Sequence, residues 1–493
     1  MKPCKPILAL CGLALSALLS ALLSADAALA REWLSPSPPR AATQDGPAPA
    51  PWSGKLWGGP PAGAPAAPSA TDCRRPPVPF VLDPLVEDAQ ADARKRPGGV
   101  LDSARMALSA GKAARSEAAE IGAGAAAPAT LATPALRSPR PADEPVSAGL
   151  IDDNADFGEY LAYRQRRLPD IGQRIGQPIA RNLTVADRVR LDVRDSRGRP
   201  VPDAAVAVYA AGRAQPLWAR TDAAGRAWLM PQPDMAGAVF EVQVSKAGES
   251  TRVLWQRGQK DALQAQLAVG APQRARLDVA FLIDATGSMA DEIDKLKRSM
   301  RSMADQIAQL PSRPDLCWAL VAYRDRGDAF LVRGADFSND LSAFQTQLAA
   351  LQAGGGGDYP EALSEALHTA VHRLSWRGEG TVRLLLLVAD APPHLHRGAP
   401  HFDDELRGAQ GRGIKLHAVG ASGLDAVGEY AFRQAAQFTG GRFVFLTYAD
   451  AANPASGPGR ETAHDVRNYS VQSLDSLVVK LVADELAAWP DKP

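Results

Sequence analysis

The stretch Leu277-Asp-Val-Ala-Phe-Leu-Ile-Asp284-Ala-Thr-Gly-Ser288 decides the reading of this chain. Residues 277–283 are a short, nearly continuous apolar run, the pattern of a strand buried on both faces. The run stops at an aspartate, and two hydroxyl residues and a glycine follow at once. Beyond them Met289, Ile293, Leu296, Met300, Met303, Ile307 and Leu310 step by four and three, which places them on one face of a helix.

The alternation continues to the end of the chain. Residues 316–323 read as a second apolar strand and 329–332 as a shorter one, with helices expected at 341–351 and 360–374. Val382 to Ala389 is almost wholly aliphatic, and residues 414–419 and 443–446 are further strands. A last helix is predicted at 471–489, with Leu474, Leu477, Val478, Leu481 and Val482 turned inward. Strands alternating with helices over 275–489 predict a doubly wound, Rossmann-like α/β domain. Ligands of such sheets bind outside the carboxyl ends of the strands.

Three oxygen-bearing clusters fall at such ends. The first is Asp284-Ala-Thr286-Gly-Ser288. The second is Asp358 in Gly354-Gly-Gly-Gly-Asp358-Tyr-Pro-Glu, opening a helix. The third is Asp390, after the longest aliphatic strand. Carboxylates and hydroxyls without thiolate or imidazole suit a hard divalent cation, Mg²⁺ first and Mn²⁺ or Ca²⁺ as alternatives.

The Asp284-x-Thr286-x-Ser288 motif, with Asp390 after a buried strand, resembles the von Willebrand factor type A (VWA) domain and its metal-ion-dependent adhesion site (MIDAS). The resemblance covers 275–489. It implies Thr286 and Ser288 as direct ligands, and Asp284 and Asp390 as direct or water-mediated ones. The family usually has threonine where Asp358 stands, so a directly bound Asp358 would add negative charge and weaken the pull of the ion on an acidic partner. The Gly-Gly-Gly-Asp-x-Pro-Glu and Asp-Ala-Pro-Pro-His394 strings look like the subgroup resembling the alpha-kinase-associated type A domains, although no kinase domain is evident.

Competing chemistries lack their residues. The glycines at 354–357 are not followed by Lys-Ser/Thr, so no phosphate-binding loop is supported. His368 and His372 are four apart on a helix, but Thr369 stands where a zinc peptidase needs glutamate, which points to packing or surface roles. His394, His396 and His401 lie near Asp390, and His394 is a candidate for the surroundings of the metal.

Upstream, residues 183–269 change to period two. Val189, Leu191 and Val193 alternate with Arg190, Asp192 and Arg194, and turns stand at 195–200 and 221–226. Short alternating strands with regular turns predict an antiparallel β-sandwich over 183–270. It resembles carboxypeptidase regulatory-like and related Ig-like bacterial modules. Residues 151–182 read as a short helical connector in which the Asp-Asp-Asn cluster caps a helix. Of the 40 prolines, 20 fall within 31–150, which reads as a disordered Pro/Ala-rich linker. Residues 1–30 carry Lys2 and Lys5, an apolar run and Ala28-Leu29-Ala30, the features of a signal peptide.

The 55 basic and 55 acidic residues cancel overall, which excludes a polybasic nucleic-acid binder. The balance is uneven, since 271–493 holds 23 basic against 28 acidic residues. Cys73 and Cys317 are the cysteines of the mature chain. The bland reading is a linker thiol and a buried strand thiol, with a bridge as the alternative. No transmembrane segment is expected after residue 30. The sum of these features is an exported, non-enzymatic protein that binds a protein partner through a cation held by the VWA domain, with the upstream segments as its stalk. The alternatives are a metal-assisted hydrolase using His394 as base, and an envelope spacer with a silent ion.

Overall fold

A computed structural model of the chain describes residues 73–82, 145–175, 183, 185–211, 213–271, 274–357, 359–378, 380–395 and 400–490. All of these belong to one unit, Trp57–Pro493. The signal-peptide segment 1–30, most of the linker, Asp358 and His396 lie outside the described residues.

The described chain opens with β1 (Pro79–Leu82), β2 (Ser147–Ile151) and α1 (Phe157–Ile175). An all-β stretch follows, with β3 (Val189–Asp195), β4 (Ala205–Ala211), β5 (Leu217–Arg220), β6 (Arg226–Leu229), β7 (Ala236–Lys246), β8 (Glu249–Gln256) and β9 (Leu263–Leu267). The α/β part then runs β10 (Arg276–Asp284), α2 (Ala290–Ala308), β11 (Asp315–Tyr323), β12 (Val332–Ser338), α3 (Leu341–Ala349), α4 (Leu363–His372) and β13 (Thr381–Ala389). It ends with α5 (Phe402–Arg412), β14 (Ile414–Gly420), α6 (Ala426–Thr439), β15 (Phe443–Leu446), β16 (Val471–Ser473) and α7 (Leu474–Ala487).

The large sheet has the order β1-β12-β11-β10-β13-β14-β15-β2-β16. Its centre, β11-β10-β13-β14-β15, is parallel. β10 shows why an unalternating sequence was needed. Leu277, Val279, Phe281 and Ile283 pack with α2, α3 and α7, while Ala280 and Leu282 pack with α4, α5 and α6 on the other face. Both faces are covered, so every second residue cannot be polar. The exception, Asp278, is fully buried and forms an ion pair with buried Arg377 at 2.7 Å.

Four expectations need correction. The linker and connector readings take in residues 73–82 and 145–151, yet β1 pairs antiparallel with β12 and β2 with β15. β1 is an edge strand, which needs only one neighbour and little apolar content of its own, while β2 extends the other side of the sheet and carries β16 as the strand beyond it. Cys73 and Cys317 form a disulfide across 244 residues, with Cα atoms 6.2 Å apart. The short strand expected at 329–332 begins instead at Val332. The turn before it buries Phe330 against the guanidinium groups of Arg324 and Arg333. The last helix begins at Leu474, because residues 471–473 pair with β2.

Residues 189–267 form two small sheets, β6-β3-β9 and β5-β4-β7-β8, which enclose a common apolar cluster that includes Val189, Leu191, Val193, Phe240 and Trp255. The pairing is not wholly antiparallel, since β3 and β9 run parallel. Nor does this part stand off as a free stalk. Asp203 is buried between Arg220 and Arg383, each at 3.0 Å, and accepts the Gly380 amide at 2.9 Å. Lys415 joins Asp222 and Glu485, and Trp228 and Ala223 pack into the cores of the α/β part. These contacts gather where β13 and β14 begin, so the opposite, carboxyl end of the parallel strands is left uncovered.

Candidate metal centre

β10 ends at Asp284, which is fully buried, and the chain turns sharply there. One carboxylate oxygen, Oδ1, accepts the Thr286 amide at 2.9 Å and the Thr286 hydroxyl at 2.7 Å. The Thr286 hydroxyl lies 3.1 Å from that of Ser288. The motif therefore folds into one chain of oxygens leading from the sheet to the surface, where Ser288 is exposed. Asp390 follows β13, the strand paired directly with β10, so the two carboxylates emerge side by side.

The glycine run packs onto this turn. The Gly287 amide donates to the Gly355 carbonyl at 2.9 Å. Gly356 has φ +70°, and a Cβ there would stand 2.8 Å from Thr286 Cβ and 2.9 Å from a Glu361 oxygen. A side chain at this position would both strain the backbone and displace Thr286.

Three acidic residues at the centre are missed by sequence reasoning. Asp325 and Asp328 stand in the turn after β11, and Glu361 precedes α4. Asp328 Oδ2 accepts the Gly356 amide at 2.8 Å and the Asp325 amide at 3.1 Å. Glu361 is buried, and its backbone bonds to Pro392 and His394 tie it to the segment after Asp390. The available signal is positional: both segments follow the carboxyl ends of strands or lead from the glycine run into a helix. Of the predicted residues, Asp284, Thr286, Ser288 and Asp390 come together, and His394 joins them. His394 Nε2 lies 2.8 Å from Asp325 Oδ1, so it meets one of these additional carboxylates.

The electrostatics of the cluster are those of crowded anions. Burial, and then the charge of Asp390, push the Asp284 carboxyl up to about 7. Burial, then the charges of Asp284, Asp325, Asp390 and Asp328, push Glu361 up to about 9. Asp390 is raised by burial, against a hydrogen bond from Ser288 that favours its charge. Three buried carboxylate oxygens, Asp284 Oδ2, Asp390 Oδ1 and Glu361 Oε2, have no hydrogen-bond partner among the described residues. Unpartnered buried acceptors are costly, and neighbouring anions multiply the cost. An all-oxygen donor set with spare lone pairs and excess negative charge fits a hard divalent cation.

Ser288 and Asp390 open into a cavity of about 840 Å³. Lys295 and Tyr359 stand on its walls together with Ser147 and Tyr448, so β2 helps to shape the space in front of the centre.

The von Willebrand factor A domain family matches residues 278–394, so the chain carries a VWA domain there, in agreement with the architecture of the large sheet. Over 148 residues it is 28% identical to Alpha-protein kinase vwkA of Dictyostelium discoideum, covering 28% of this chain and 22% of that protein. Over 123 residues it is 28% identical to a putative ariadne-like RING finger protein, R811, of Acanthamoeba polyphaga mimivirus, covering 24% of this chain and 12% of that one. The chain thus spans less than a quarter of either relative. The pilus adhesin SpaC of Lactobacillus rhamnosus GG superposes with a TM-score of 0.31 at 12% identity, over 51% of this chain and 33% of that one.

Proposed function

We propose that this is an exported protein whose VWA domain engages a protein partner through a divalent cation held at the carboxyl end of the large sheet, as a MIDAS does. The observation that carries the reading is the set of three unpartnered, buried carboxylate oxygens beside the Thr286 and Ser288 hydroxyls. Thr286, Ser288, Asp284 and Asp390 would hold the ion, with Mg²⁺ first and Mn²⁺ or Ca²⁺ as alternatives, and Asp358 belongs to the proposed set from its place in the glycine segment. Bound there, a cation supplies positive charge for an acidic group of the partner. The chain's own residues do the rest. Asp284 orients the Thr286 amide and hydroxyl through Oδ1, the Thr286 hydroxyl in turn meets that of Ser288, Asp328 and Gly356 hold the loop against Thr286, and the cavity in front of Ser288 offers room for a partner side chain.

Export is supported by the residues 1–30 and by the Cys73–Cys317 disulfide, a bond that persists in oxidising compartments. The β part over 189–267, proposed as an Ig-like module, braces the sheet from the end opposite the site. No enzymatic step is proposed.

Affinity capture from envelope extracts tests the proposal, using the full exported chain and Asp284→Asn in Mg²⁺ or in chelator. A partner retained only by the unsubstituted chain in Mg²⁺ is the expected result. Equal capture by both proteins, or in chelator, refutes the cation-dependent reading.

A further inference from the structure

A second constellation lies on the helical face of the VWA domain, between α4 and α5. His368 and His372 stand one turn apart on α4, and Glu405 reaches them from the first turn of α5. His368 Nδ1 is 3.0 Å from Glu405 Oε1, and His372 Nε2 is 2.8 Å from Glu405 Oε2. One ligand atom from each residue can be chosen so that all lie within 4.8 Å of one another. Glu405 is 3% exposed, and its Oε2 makes no hydrogen bond despite that short approach. Each carboxylate oxygen of Glu405 is thus held close to a ring nitrogen, one on each histidine.

We propose that His368, His372 and Glu405 form a second metal site, selective for a transition metal such as Zn²⁺ and distinct from the oxygen-lined centre. Two imidazoles and one carboxylate are a recurrent zinc donor set. Ligands about 2.0–2.1 Å from a tetrahedral zinc are roughly 3.4 Å apart. The observed 2.8 and 3.0 Å separations would therefore open by only a few tenths of an ångström. Burial works against the charge of Glu405, but the two histidines outweigh it and hold the carboxyl below the usual range. Donor softness separates the two centres, since imidazole favours Zn²⁺ and carboxylates with hydroxyls favour Mg²⁺.

The position gives the ion a task. α4 begins two residues after Glu361, and α5 follows the segment that carries Asp390 and His394. A metal bridging the two helices would staple together the chain segments that deliver these acids to the front of the sheet. This inference does not depend on the proposed adhesive role.

The test uses the full exported chain without a histidine tag, in excess Mg²⁺, with Co²⁺ and Zn²⁺ as probes. One equivalent of Co²⁺ should give the intense visible bands of a tetrahedral complex, and Zn²⁺ should displace it. His372→Gln should lose more than about 100-fold in Zn²⁺ affinity, beyond what outer-shell partners carry, while Asp284→Asn and His394→Ala should bind as the unsubstituted chain does. X-ray absorption of the zinc-loaded unsubstituted chain should show two imidazoles and oxygen, which keeps the test valid if His372→Gln fails to fold. Absence of the tetrahedral bands, their persistence in His372→Gln, or an all-oxygen shell overturns the proposal.

Discussion

Asp284→Asn offers the sharpest test of the crowded-anion centre, because it should act in opposite directions with and without a cation. Asparagine keeps an oxygen for the Thr286 amide and hydroxyl and puts a neutral amide where Oδ2 has no partner. In chelator, the native Asp284 ionises only near pH 7, against 3.8 for an ordinary aspartate. A folded-state value above the unfolded one means that the native protein holds its proton more tightly. Stability from this group is therefore full below about pH 4 and is lost as pH rises to 7. The difference of about three units corresponds to ~4 kcal/mol at pH 8. Asparagine escapes that loss, so the cation-free variant should be more stable at pH 8 by up to ~4 kcal/mol. At roughly 2 °C per kcal/mol for a domain of this size, the melting temperature would rise by on the order of 8 °C. In saturating Mg²⁺ the order should reverse, since the unsubstituted chain gains binding energy that the variant lacks. Melting curves of both proteins at pH 4, 6 and 8, in chelator and in Mg²⁺, provide the measurement. Equal destabilisation of the variant in both media, or no dependence on pH, refutes the reasoning.

Two further outcomes follow from the fold. The Cys73–Cys317 bond closes a span of 244 residues, and Cys73→Ser should cost up to about 5 kcal/mol through loop-closure entropy. Denaturant midpoints with and without dithiothreitol check this: the unsubstituted chain should respond to reductant and the variant should not. His417 is pushed down to about 3 by burial, then by the charges of Lys415 and Arg442. The unfolded chain takes up a proton near 6.5 that the folded chain refuses, so this stability is full above pH 6.5 and is lost as pH falls towards 3. At pH 4.5 the loss is on the order of 3 kcal/mol. His417→Asn keeps an acceptor for the Arg442 amide, now 3.1 Å from Nδ1, and should flatten the acid limb of the stability profile. An unchanged limb in urea titrations at pH 7 and 4.5 contradicts the assignment.

Much of the centre was legible because its residues are local to their strands. Asp284, Thr286 and Ser288 lie within five positions, and Asp390 closes the most aliphatic run of the chain. A strand end in a parallel sheet identifies its neighbours' ends as well. Asp325, Asp328 and Glu361 were not legible, because nothing in an Arg-Asp-Arg-Gly-Asp turn tells whether its carboxylates face water or the next strand's aspartate. The histidines of α4 read as packing residues for lack of an intervening glutamate. Their acidic partner comes from a different helix, 33 residues beyond His372 in the numbering of the chain.

By itself, the sequence determined the alternation of buried strands and amphipathic helices, the oxygen-bearing motif of β10 and the acidity of the C-terminal part. These properties are written in short-range periodicity, which records how many faces of an element are buried. Tertiary structure alone decided that residues 73–82 close one side of the sheet and 145–151 join β15 to β16 on the other, that Cys73 meets Cys317, and that Asp203 locks the β part onto Arg383. Each of these joins residues far apart in the chain through one edge, one bond or one buried charge. Such contacts draw their stability from what the partner supplies, so they leave almost no trace in the composition around either end.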